Sequence, residues 1–354
     1  MKCCVECFQS NYIRDIIQTS HDVGKCDFCG TKSINLLPPE KLIDNFRVFI
    51  DAYKPIKNPP VNCKPDKIEK RILIDFNRKI FSSKKEREVK KLLRAIFKNE
   101  LNNYREIFTK NVYLECLLDP NSLLQLSNLQ ISWDNFVKEI KNENRYHIKN
   151  TVDLIKLEKL LSWFTREIKK GQLFYRARIS EKNGFSKKEM GAPPQNQTKS
   201  GRANPLGISY LYLSSDSETT FYETRALLFD YVTIGEFKLC ENIKIVNLKD
   251  THIYDPIQFA ESDSLTELLI YLPFINRLEE ELSKPLRRSD NELDYIPTQY
   301  ISEFIKSLKY AGVQYKSSLN PSGYNLAIFE FQKFICTGVK IHEVKEIKFK
   351  HKPI

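Results

Sequence analysis

Three side chains of this sequence are of types that act on charged ligands: Arg176, Arg202 and Glu223. A guanidinium grips a phosphate through two parallel hydrogen bonds, which a lysine cannot do. A carboxylate offsets positive charge, but it is costly to bury beside apolar neighbours without a partner. Arg176 and Arg202 are the candidate partners of Glu223. The simpler alternative is a corner between two elements that carries one partly exposed glutamate.

The elements that must position these side chains are a predicted strand and the helix after it. Tyrosine and leucine alternate at residues 210–213, which predicts a strand with both tyrosines on one face. Ser215 and Glu218 have the spacing of a capping box, so a helix that carries Glu223 is expected to begin there. On that helix, Glu223 shares a face with residues three and four positions away.

Five of the nine cysteines fall within the first 29 residues. They include two C-x-x-C knuckles about twenty residues apart, a spacing typical of a tetrahedral zinc site. The predicted ligands are Cys4, Cys7, Cys26 and Cys29. Cys3 or His21 can replace one of them, and the alternative to a metal site is two clusters of free thiols.

The composition is that of a soluble globular protein. The 354 residues are 41% hydrophobic and 29% charged, which allows two or three domains. No apolar run approaches the roughly 20 residues of a membrane span, and no signal peptide is visible. We therefore expect a cytoplasmic protein with no membrane contact. The net charge of +11 suits an anionic partner, but the lysines are spread along the chain, so nucleic-acid binding is not expected.

Residues 37–165 are predicted to form a helical domain. Residues 84–99 have apolar side chains at helical spacing and basic side chains on the remaining surface. Further helices are predicted at residues 108–118, 124–140 and 154–168. The proline-rich residues 55–65 are predicted to be a linker or an extended arm. This region contains no recognisable catalytic motif.

Residues 166–354 alternate between short strands and helices without βαβ regularity, which indicates an α+β domain. Strands are predicted at residues 172–179, 210–213, 233–239, 243–248, 312–315 and 326–331. Helices are predicted at residues 265–282 and 295–308. The polar residues 182–201 are predicted to form a loop of the kind that folds over a ligand.

Six short motifs occur in a fixed order over residues 165–345. They are Tyr175-Arg176, Gly201-Arg202-Ala203-Asn204-Pro205, Leu211-Tyr212, Glu223, Tyr315-Lys316-Ser317-Ser318 and Asn325-Leu326-Ala327-Ile328-Phe329. Together they resemble the RES domain, a toxin-like family of NAD-degrading enzymes related in shape to ADP-ribosyltransferases. The sequence departs from the family at Ala203, where many members have an aromatic residue, and in an insertion-like stretch at 250–288.

The resemblance implies that NAD is the substrate. The implied catalytic residues are Arg202, Tyr212, Glu223 and Ser317. The residues implied to bind NAD are Tyr175, Arg176, Arg202, Tyr212, Ser317 and Ser318. The arginines would hold the pyrophosphate and the nicotinamide ribose, while a tyrosine would stack on a base. Glu223 would offset positive charge at C1 of the ribose, and a serine would bind a phosphate or the attacking group.

The N-terminal segment with both knuckles resembles the domain that precedes RES domains in a HEPN/RES architecture. We therefore expect a Cys4 zinc-binding module at residues 1–36, a helical domain at 37–165 and an ADP-ribosyltransferase-like RES catalytic domain at 166–354. The arginine–histidine spacing of HEPN ribonucleases occurs only at Arg14 and His21, and we interpret it as incidental.

Three function hypotheses follow from these expectations. The first is an NAD-consuming effector of the toxin or phage-defence kind, in which water or phosphate cleaves the nicotinamide–ribose bond. It implies a structural zinc ion, a neutralising or activating protein partner and a chain that can form a homo-oligomer. The second is an ADP-ribosyltransferase that acts on a protein or nucleotide. The third is a nucleic-acid-binding zinc protein.

Overall fold

A computed structural model describes residues 1–57, 64–76, 79–118, 120–249, 255–257, 264–284 and 292–347. The chain divides into two compact units. The first unit is Met1–Gln130 with His252–Pro273, and the second is Ile131–Thr251 with Phe274–Ile354. The three-domain division at residues 36 and 165 stays a prediction. No helix in the described ranges combines the length and apolar character needed to cross a membrane.

The first unit is mainly helical, with two small sheets. Its elements are β1 (Cys3–Cys4), α1 (Asn11–Gln18), β2 (Val23–Gly24), β3 (Ile34–Leu37), α2 (Ile43–Asp51), β4 (Tyr53–Pro55), α3 (Ile68–Asp75), α4 (Glu86–Ile96), α5 (Arg105–Thr109) and β5 (Val112–Leu114). The N-terminal sheet has the order β1-β3-β2, and β4 pairs with β5. Helix α1 begins after Ser10, whose hydroxyl accepts a hydrogen bond from the Ile13 amide at 3.1 Å. This cap satisfies one of the free N–H groups at the helix start.

The insertion-like stretch contributes to the first unit. The Asp255 carboxylate accepts hydrogen bonds from the Ser10 hydroxyl at 2.8 Å and from the Tyr12 amide at 2.9 Å. Ile257 and Leu265 belong to the same apolar core as the buried phenylalanines of this unit. The departure from the family pattern at residues 250–288 is therefore in part a segment that packs on the first unit. Residues 250–254, 258–263 and 285–291 lie outside the described residues.

The described part of the second unit contains an eight-stranded mixed sheet. Its strands are β6 (Thr165–Ile168), β7 (Leu173–Ser180), β8 (Leu211–Ser214), β9 (Tyr231–Leu239), β10 (Ile243–Asn247), β11 (Gly312–Lys316), β12 (Tyr324–Ile328) and β13 (Phe334–Glu343). The strand order is β13-β9-β7-β8-β12-β11-β10-β6. Strands β10 and β11 are parallel, and the other neighbours are antiparallel.

The helices that follow the first unit's elements in chain order are α6 (Pro120–Asn142), α7 (Leu154–Trp163), α8 (Ser217–Thr224), α9 (Ser264–Ser283) and α10 (Ile296–Ser307). In the second unit, Trp133 of α6 packs edge-on against Phe274 with ring centroids 5.7 Å apart. Phe136 packs against Tyr300 of α10 at 4.9 Å. These aromatic contacts place Trp133, which is buried, in the core of the second unit.

The two faces of the central strands differ in chemistry. Leu213 and Leu326 are paired across β8 and β12, and both are buried in an apolar core. On the other face, the register aligns Tyr175, Ser214, Asn325 and Tyr315 in one row across four strands. Side chains alternate between faces along a strand, so the face that carries Leu213 and Leu326 packs into the apolar core. The opposite face presents a row of polar and aromatic side chains.

Most predicted elements are confirmed, but two helices were placed wrongly at their ends. Residues 108–118 were predicted to be helical, whereas α5 ends at Thr109 and Val112–Leu114 pairs with Tyr53–Pro55. Residues 154–168 were predicted to be one helix, whereas α7 ends at Trp163 and β6 pairs with β10. In both cases, strand pairing with a distant segment overrides local helical periodicity. Residues 58–63 of the predicted proline-rich linker lie outside the described residues.

Candidate functional site

Helix α8 begins one residue later than the capping-box spacing predicts. Asp216 is the cap, and its carboxylate accepts a hydrogen bond from the Thr219 amide at 2.7 Å. The Ser215 hydroxyl instead donates to Asp216 at 2.6 Å and accepts from the Tyr324 amide at 3.1 Å. The helix ends at Thr224, and the residue that caps it, Arg225, has a left-handed backbone (φ 52°). The predicted common face of Glu223 with residues 226 and 227 is therefore wrong, because those residues lie beyond the helix.

A cleft of about 450 Å³ opens between α8 and the polar row on the sheet. Five of the residues predicted to form the site line this cleft: Tyr175, Arg176, Arg202, Tyr212 and Glu223. The cleft is also lined by Ser214, Thr220, Arg225, Tyr295, Tyr315 and Asn325. The sequence motifs that are far apart along the chain therefore meet at one place in the second unit.

Glu223 is held by two neutral donors. Its Oε1 atom accepts hydrogen bonds from the Ser317 hydroxyl and from the Asn325 side-chain amide, each at 2.7 Å. Neither candidate arginine pairs with Glu223 among the described residues: Arg202 donates from Nη1 to the Leu282 carbonyl at 3.0 Å, and Arg176 Nη1 has no partner. Since both hydrogen bonds end on Oε1, Oε2 remains available to a ligand in the cleft.

Arg176 has an unusual environment for a cation. Its Nη1 atom is buried and has no hydrogen-bond partner among the described residues. Burial, and then the charge of Arg178, lower the pKa of Arg176 to about 10, so the guanidinium stays protonated at neutral pH. A buried N–H group without a partner is costly. An anionic ligand in the cleft would satisfy it, and a phosphate group has the matching charge and geometry.

The family-model comparison identifies the domain that contains this cleft. The RES domain model matches residues 173–350, half of the chain. The chain belongs to the RES domain family. RES domain toxins are in general NAD-acting enzymes. Membership of the family therefore agrees, at family level, with the hypothesis of an NAD-consuming protein.

The remaining comparisons add little to this assignment. No curated protein matches the chain. Among solved structures, the chain is similar to the crystal structure of the M. tuberculosis MbcT–MbcA toxin–antitoxin complex. The sequence identity is 11%, the TM-score is 0.32, and the match covers 54% of this chain and 92% of that chain. Similarity at this level bears on neither the fold nor the function of the RES domain described here.

Tyr212 holds the turn that carries Arg202. Its hydroxyl donates to Asn204 Oδ1 at 2.8 Å and accepts from the Ala203 amide at 3.0 Å. Burial raises the pKa of Tyr212 to about 12, so the phenol is neutral at physiological pH. The side-chain amide of Asn204 donates to three backbone carbonyls of the same turn, each at 3.0 Å. Ala203 is fully buried, so the smaller residue at this departure from the family pattern fits a closed space.

Gly201→Ala is expected to destabilise this turn of the RES domain. A Cβ atom at Gly201 would lie too close to Asn204 Oδ1 and 3.0 Å from the Tyr212 hydroxyl, so the Tyr212–Asn204 bond must shift. Overpacking of this kind lowers the free energy of unfolding by about 1–3 kcal/mol, which thermal or urea unfolding measures. Gly191→Ala is the matched control, because its Cβ atom would meet only the Lys188 carbonyl at 3.8 Å. Equal stability of the two variants would contradict the expected clash.

The two predicted serines occupy different environments. Ser317 is buried, and its hydroxyl donates to Glu223 and accepts from the Asn320 amide at 3.0 Å. Ser318 is exposed and is not among the described residues that line the cleft. Contact of either serine with a phosphate or an attacking group stays a prediction. The geometry places Ser317 beside the carboxylate.

Sequence reasoning gave no role to Asn325, Tyr315, Tyr295 and Arg225, all of which line the cleft. Asn325 stands inside an otherwise apolar strand segment and is only 4% exposed. A lone amide in such a run is a detectable signal, because a buried polar group requires partners. Arg225 carries no sequence signal of this kind, since its place depends on where α8 ends.

The four predicted metal ligands of the first unit lie together. The Sγ atoms of Cys4, Cys7, Cys26 and Cys29 are all within 4.8 Å of one another, and this cluster can hold a metal ion. Two of the Sγ–Sγ distances are 3.4 and 3.5 Å. Tetrahedral zinc with Zn–S bonds of about 2.3 Å requires sulfur atoms about 3.8 Å apart. The donor set and spacing therefore fit zinc.

The two alternative ligands lie outside this cluster. The Cys3 thiol donates to the Leu37 carbonyl at 3.3 Å, and His21 is exposed. Neither residue belongs to the group of side chains that the described structure places within reach of one metal ion. The geometry therefore favours the four-cysteine set over a set that includes Cys3 or His21.

Proposed function

We propose that this RES domain consumes NAD by cleaving the bond between nicotinamide and ribose. The observation that carries the proposal is the buried, unpartnered Nη1 atom of Arg176 in the same cleft as Glu223. A cation that lacks a partner in the protein suits a phosphate of the substrate. A carboxylate in the same cleft suits the positive charge that develops on the ribose.

The two arginines would bind NAD in different ways. Arg176 offers a free N–H to the pyrophosphate. Arg202 donates one N–H to the Leu282 carbonyl, and its guanidinium carbon lies 5.8 Å from the centroid of the Tyr315 ring. Arg202 is therefore fixed in direction before a ligand arrives. Such preorganisation reduces the entropy lost on binding.

Glu223 would act on the reacting carbon. Nicotinamide is already a good leaving group, so the enzyme mainly has to stabilise an oxocarbenium-like ribose and hold it in place. Oε1 is engaged by Ser317 and Asn325, which leaves Oε2 to face the ribose. The bond from C1 to the nicotinamide nitrogen breaks, and its electron pair leaves with nicotinamide. Water or phosphate then bonds to C1, and an attacking water releases one proton to solvent.

A tyrosine ring would stack on a flat base of NAD, a contact worth about 0.5–1.5 kcal/mol beyond area burial. Tyr175 and Tyr212 both line the cleft. The Tyr212 hydroxyl is already used to hold the turn, so any contribution of Tyr212 to binding is made by its ring.

Purified protein incubated with NAD tests the proposal. Release of nicotinamide is the expected result, and persistence of intact NAD would contradict it. Mass spectrometry of the sugar product separates the alternatives. Free ADP-ribose indicates attack by water, and its 1″-phosphate indicates attack by phosphate. ADP-ribose attached to a protein or nucleotide indicates the transferase alternative. DNA or RNA binding that weakens steeply with salt would support the nucleic-acid alternative.

Arg176→Lys is expected to raise KM for NAD by about tenfold or more with a smaller change in kcat. Lysine keeps the positive charge but loses the planar fork that binds phosphate bidentately. Steady-state kinetics of nicotinamide release measure both constants. Arg178→Lys is the matched control on the same strand: Arg178 donates to the Glu189 carbonyl, stacks on Phe185 and does not line the cleft. An unchanged KM in Arg176→Lys would remove the proposed phosphate contact.

We also propose that the cysteine cluster holds a structural zinc ion and that the N-terminal segment is the module of the HEPN/RES architecture. The cluster of four sulfur atoms supports the first point. A neutralising or activating protein partner, a homo-oligomer, a cytoplasmic location and a role in phage defence remain predictions. Metal analysis of the purified full chain tests the zinc proposal directly.

A further inference from the structure

We propose that Asn325 is a positioning residue of the RES cleft, which fixes the carboxylate of Glu223 so that Oε2 is presented to the substrate. This inference rests on the proposed function for its kinetic consequences. The structural part, that the Asn325 amide fixes the orientation of the Glu223 carboxylate, is independent of the reaction and rests on hydrogen bonds and burial. Asn325 acts through Glu223.

Asn325 occupies a rigid position in the sheet. Strand β12 lies between β8 and β11, and it is hydrogen-bonded to both. Asn325 is opposite Ser214 on one side and opposite Tyr315 on the other. The side chain is 4% exposed, so neither backbone nor side chain has much freedom. A partner fixed in this way can define the orientation of a carboxylate.

Glu223 and Ser214 together fix the orientation of the Asn325 amide. The Ser214 hydroxyl donates to Asn325 Oδ1 at 2.7 Å, so the Nδ2 group is directed to Glu223 Oε1, also at 2.7 Å. Ser214 is itself 5% exposed. An ionised carboxylate only accepts, so the reverse orientation would place Oδ1 against Glu223 Oε1 and lose that hydrogen bond, although the Ser214 hydroxyl could still accept from Nδ2. A buried network of this kind is rigid when all its members are satisfied.

The two donors on Oε1 come from one antiparallel hairpin, formed by β11 and β12. Ser317 follows β11, and Asn325 lies in β12. With Oε1 held at two points, rotation about the last side-chain bond is blocked. The oxygen that stays available, Oε2, is thereby kept in one place. A misplacement of about 1 Å at a reacting centre can reduce turnover by about 10²-fold.

The charges that share the cleft with Glu223 are three guanidinium groups, those of Arg176, Arg202 and Arg225. The cleft also contains phenols that stay neutral near pH 7, because burial raises the pKa of Tyr212 to about 12 and raises that of Tyr315 further. An added carboxylate at position 325 would therefore be the only acidic neighbour of Glu223 among the described residues of the cleft. This makes Asn325→Asp a selective test.

Asn325→Asp is expected to reduce kcat at pH 7 by tenfold or more, with a smaller change in KM. The substitution keeps the size and the acceptor for Ser214 but replaces the donor to Glu223 by a second carboxylate. Two carboxylates in contact disfavour ionisation of the pair. The acidic limb of the kcat profile should therefore move upward by about one pH unit or more. A purely structural role would lower stability and leave the shape of the profile unchanged.

Asn242→Asp is the matched control. The Asn242 amide also donates to a glutamate oxygen, that of Glu167, at 3.1 Å, but this pair is exposed and does not line the cleft. The control should keep the wild-type kcat and pH profile.

If Asn325→Asp fails to fold, Ser214→Ala takes its place, because it releases the amide without touching Glu223. It should lower kcat severalfold at constant KM, and an unchanged kcat would overturn the proposal.

A readout without NAD separates this inference from the proposed function. The carboxyl ¹³C signal of Glu223 can be assigned by its absence in Glu223→Gln. The chemical shift of this signal should change in Asn325→Asp and should match the wild type in Asn242→Asp. If wild-type protein leaves NAD intact while this signal shifts, the proposed function fails and the positioning role holds. If the signal and the pH profile of Asn325→Asp both match the wild type, Asn325 does not position Glu223.

Discussion

Glu223→Gln is expected to reduce NAD turnover by roughly 10²–10³-fold, the range for removal of one electrostatic stabiliser from a preorganised site. The fold should persist, because the glutamine Oε1 can accept the same hydrogen bonds from Ser317 and Asn325. Binding of NAD should change little, since the arginines hold the phosphates in the ground state as well. Nicotinamide release measures turnover, and calorimetry measures binding.

Glu218→Gln is the control for this prediction. Glu218 lies on the same helix but is exposed, and it does not line the cleft. Its substitution should leave kcat and KM at wild-type values. If Glu223→Gln consumed NAD at the wild-type rate, the Glu223 carboxylate would be only a charge on the helix surface. The cleft between α8 and the sheet would then lose its claim to be the active site.

Cys26→Ser is expected to release the proposed zinc ion and to unfold the N-terminal region of the first unit. Apparent zinc affinities in small metal-nucleated modules are about 10–16 kcal/mol, far more than the region can replace by packing. Cys26 is 2% exposed. Burial raises the pKa of Cys4 to about 12, so without a cation this buried ligand stays a neutral thiol. Metal analysis and limited proteolysis of the full chain measure the two effects.

Cys3→Ser is the matched control for the metal prediction. Cys3 is adjacent to Cys4 and equally buried, but its thiol donates to the Leu37 carbonyl outside the cluster. A serine hydroxyl can make the same bond, so this variant should retain one zinc ion per chain. Loss of zinc from Cys3→Ser, or its retention by Cys26→Ser, would contradict the four-cysteine assignment.

The local parts of the fold could be predicted because they depend on nearby residues. The alternation at residues 210–213 predicted β8, and the apolar spacing at 84–99 predicted α4. The error at the start of α8 is of the same local kind. Asp216 and Ser215 are both good caps, and the sequence does not say which one receives the helix amides. The choice is made by the Tyr324 amide, which engages Ser215 from another strand.

The parts that could not be predicted depend on strand register. The pairing of Glu223 with Asn325 follows from the order of β8, β12 and β11, which no local pattern specifies. The same reason explains why Val112–Leu114 forms a strand in a helix-like sequence. The motifs identified the residue types of the cleft, whereas the sheet decides which of them touch.

The sheet order has a consequence for when activity can arise during synthesis. Glu223 and Asn325 are 102 positions apart, and Ser214 and Asn325 are 111 apart. At roughly 5–20 residues per second, a ribosome needs about 5–20 s to reach β12 after it has made α8. Until β11 and β12 have emerged and inserted beside β8, the carboxylate has neither of its donors. If the proposed function holds, a growing chain would leave NAD intact until its last central strands have joined the sheet.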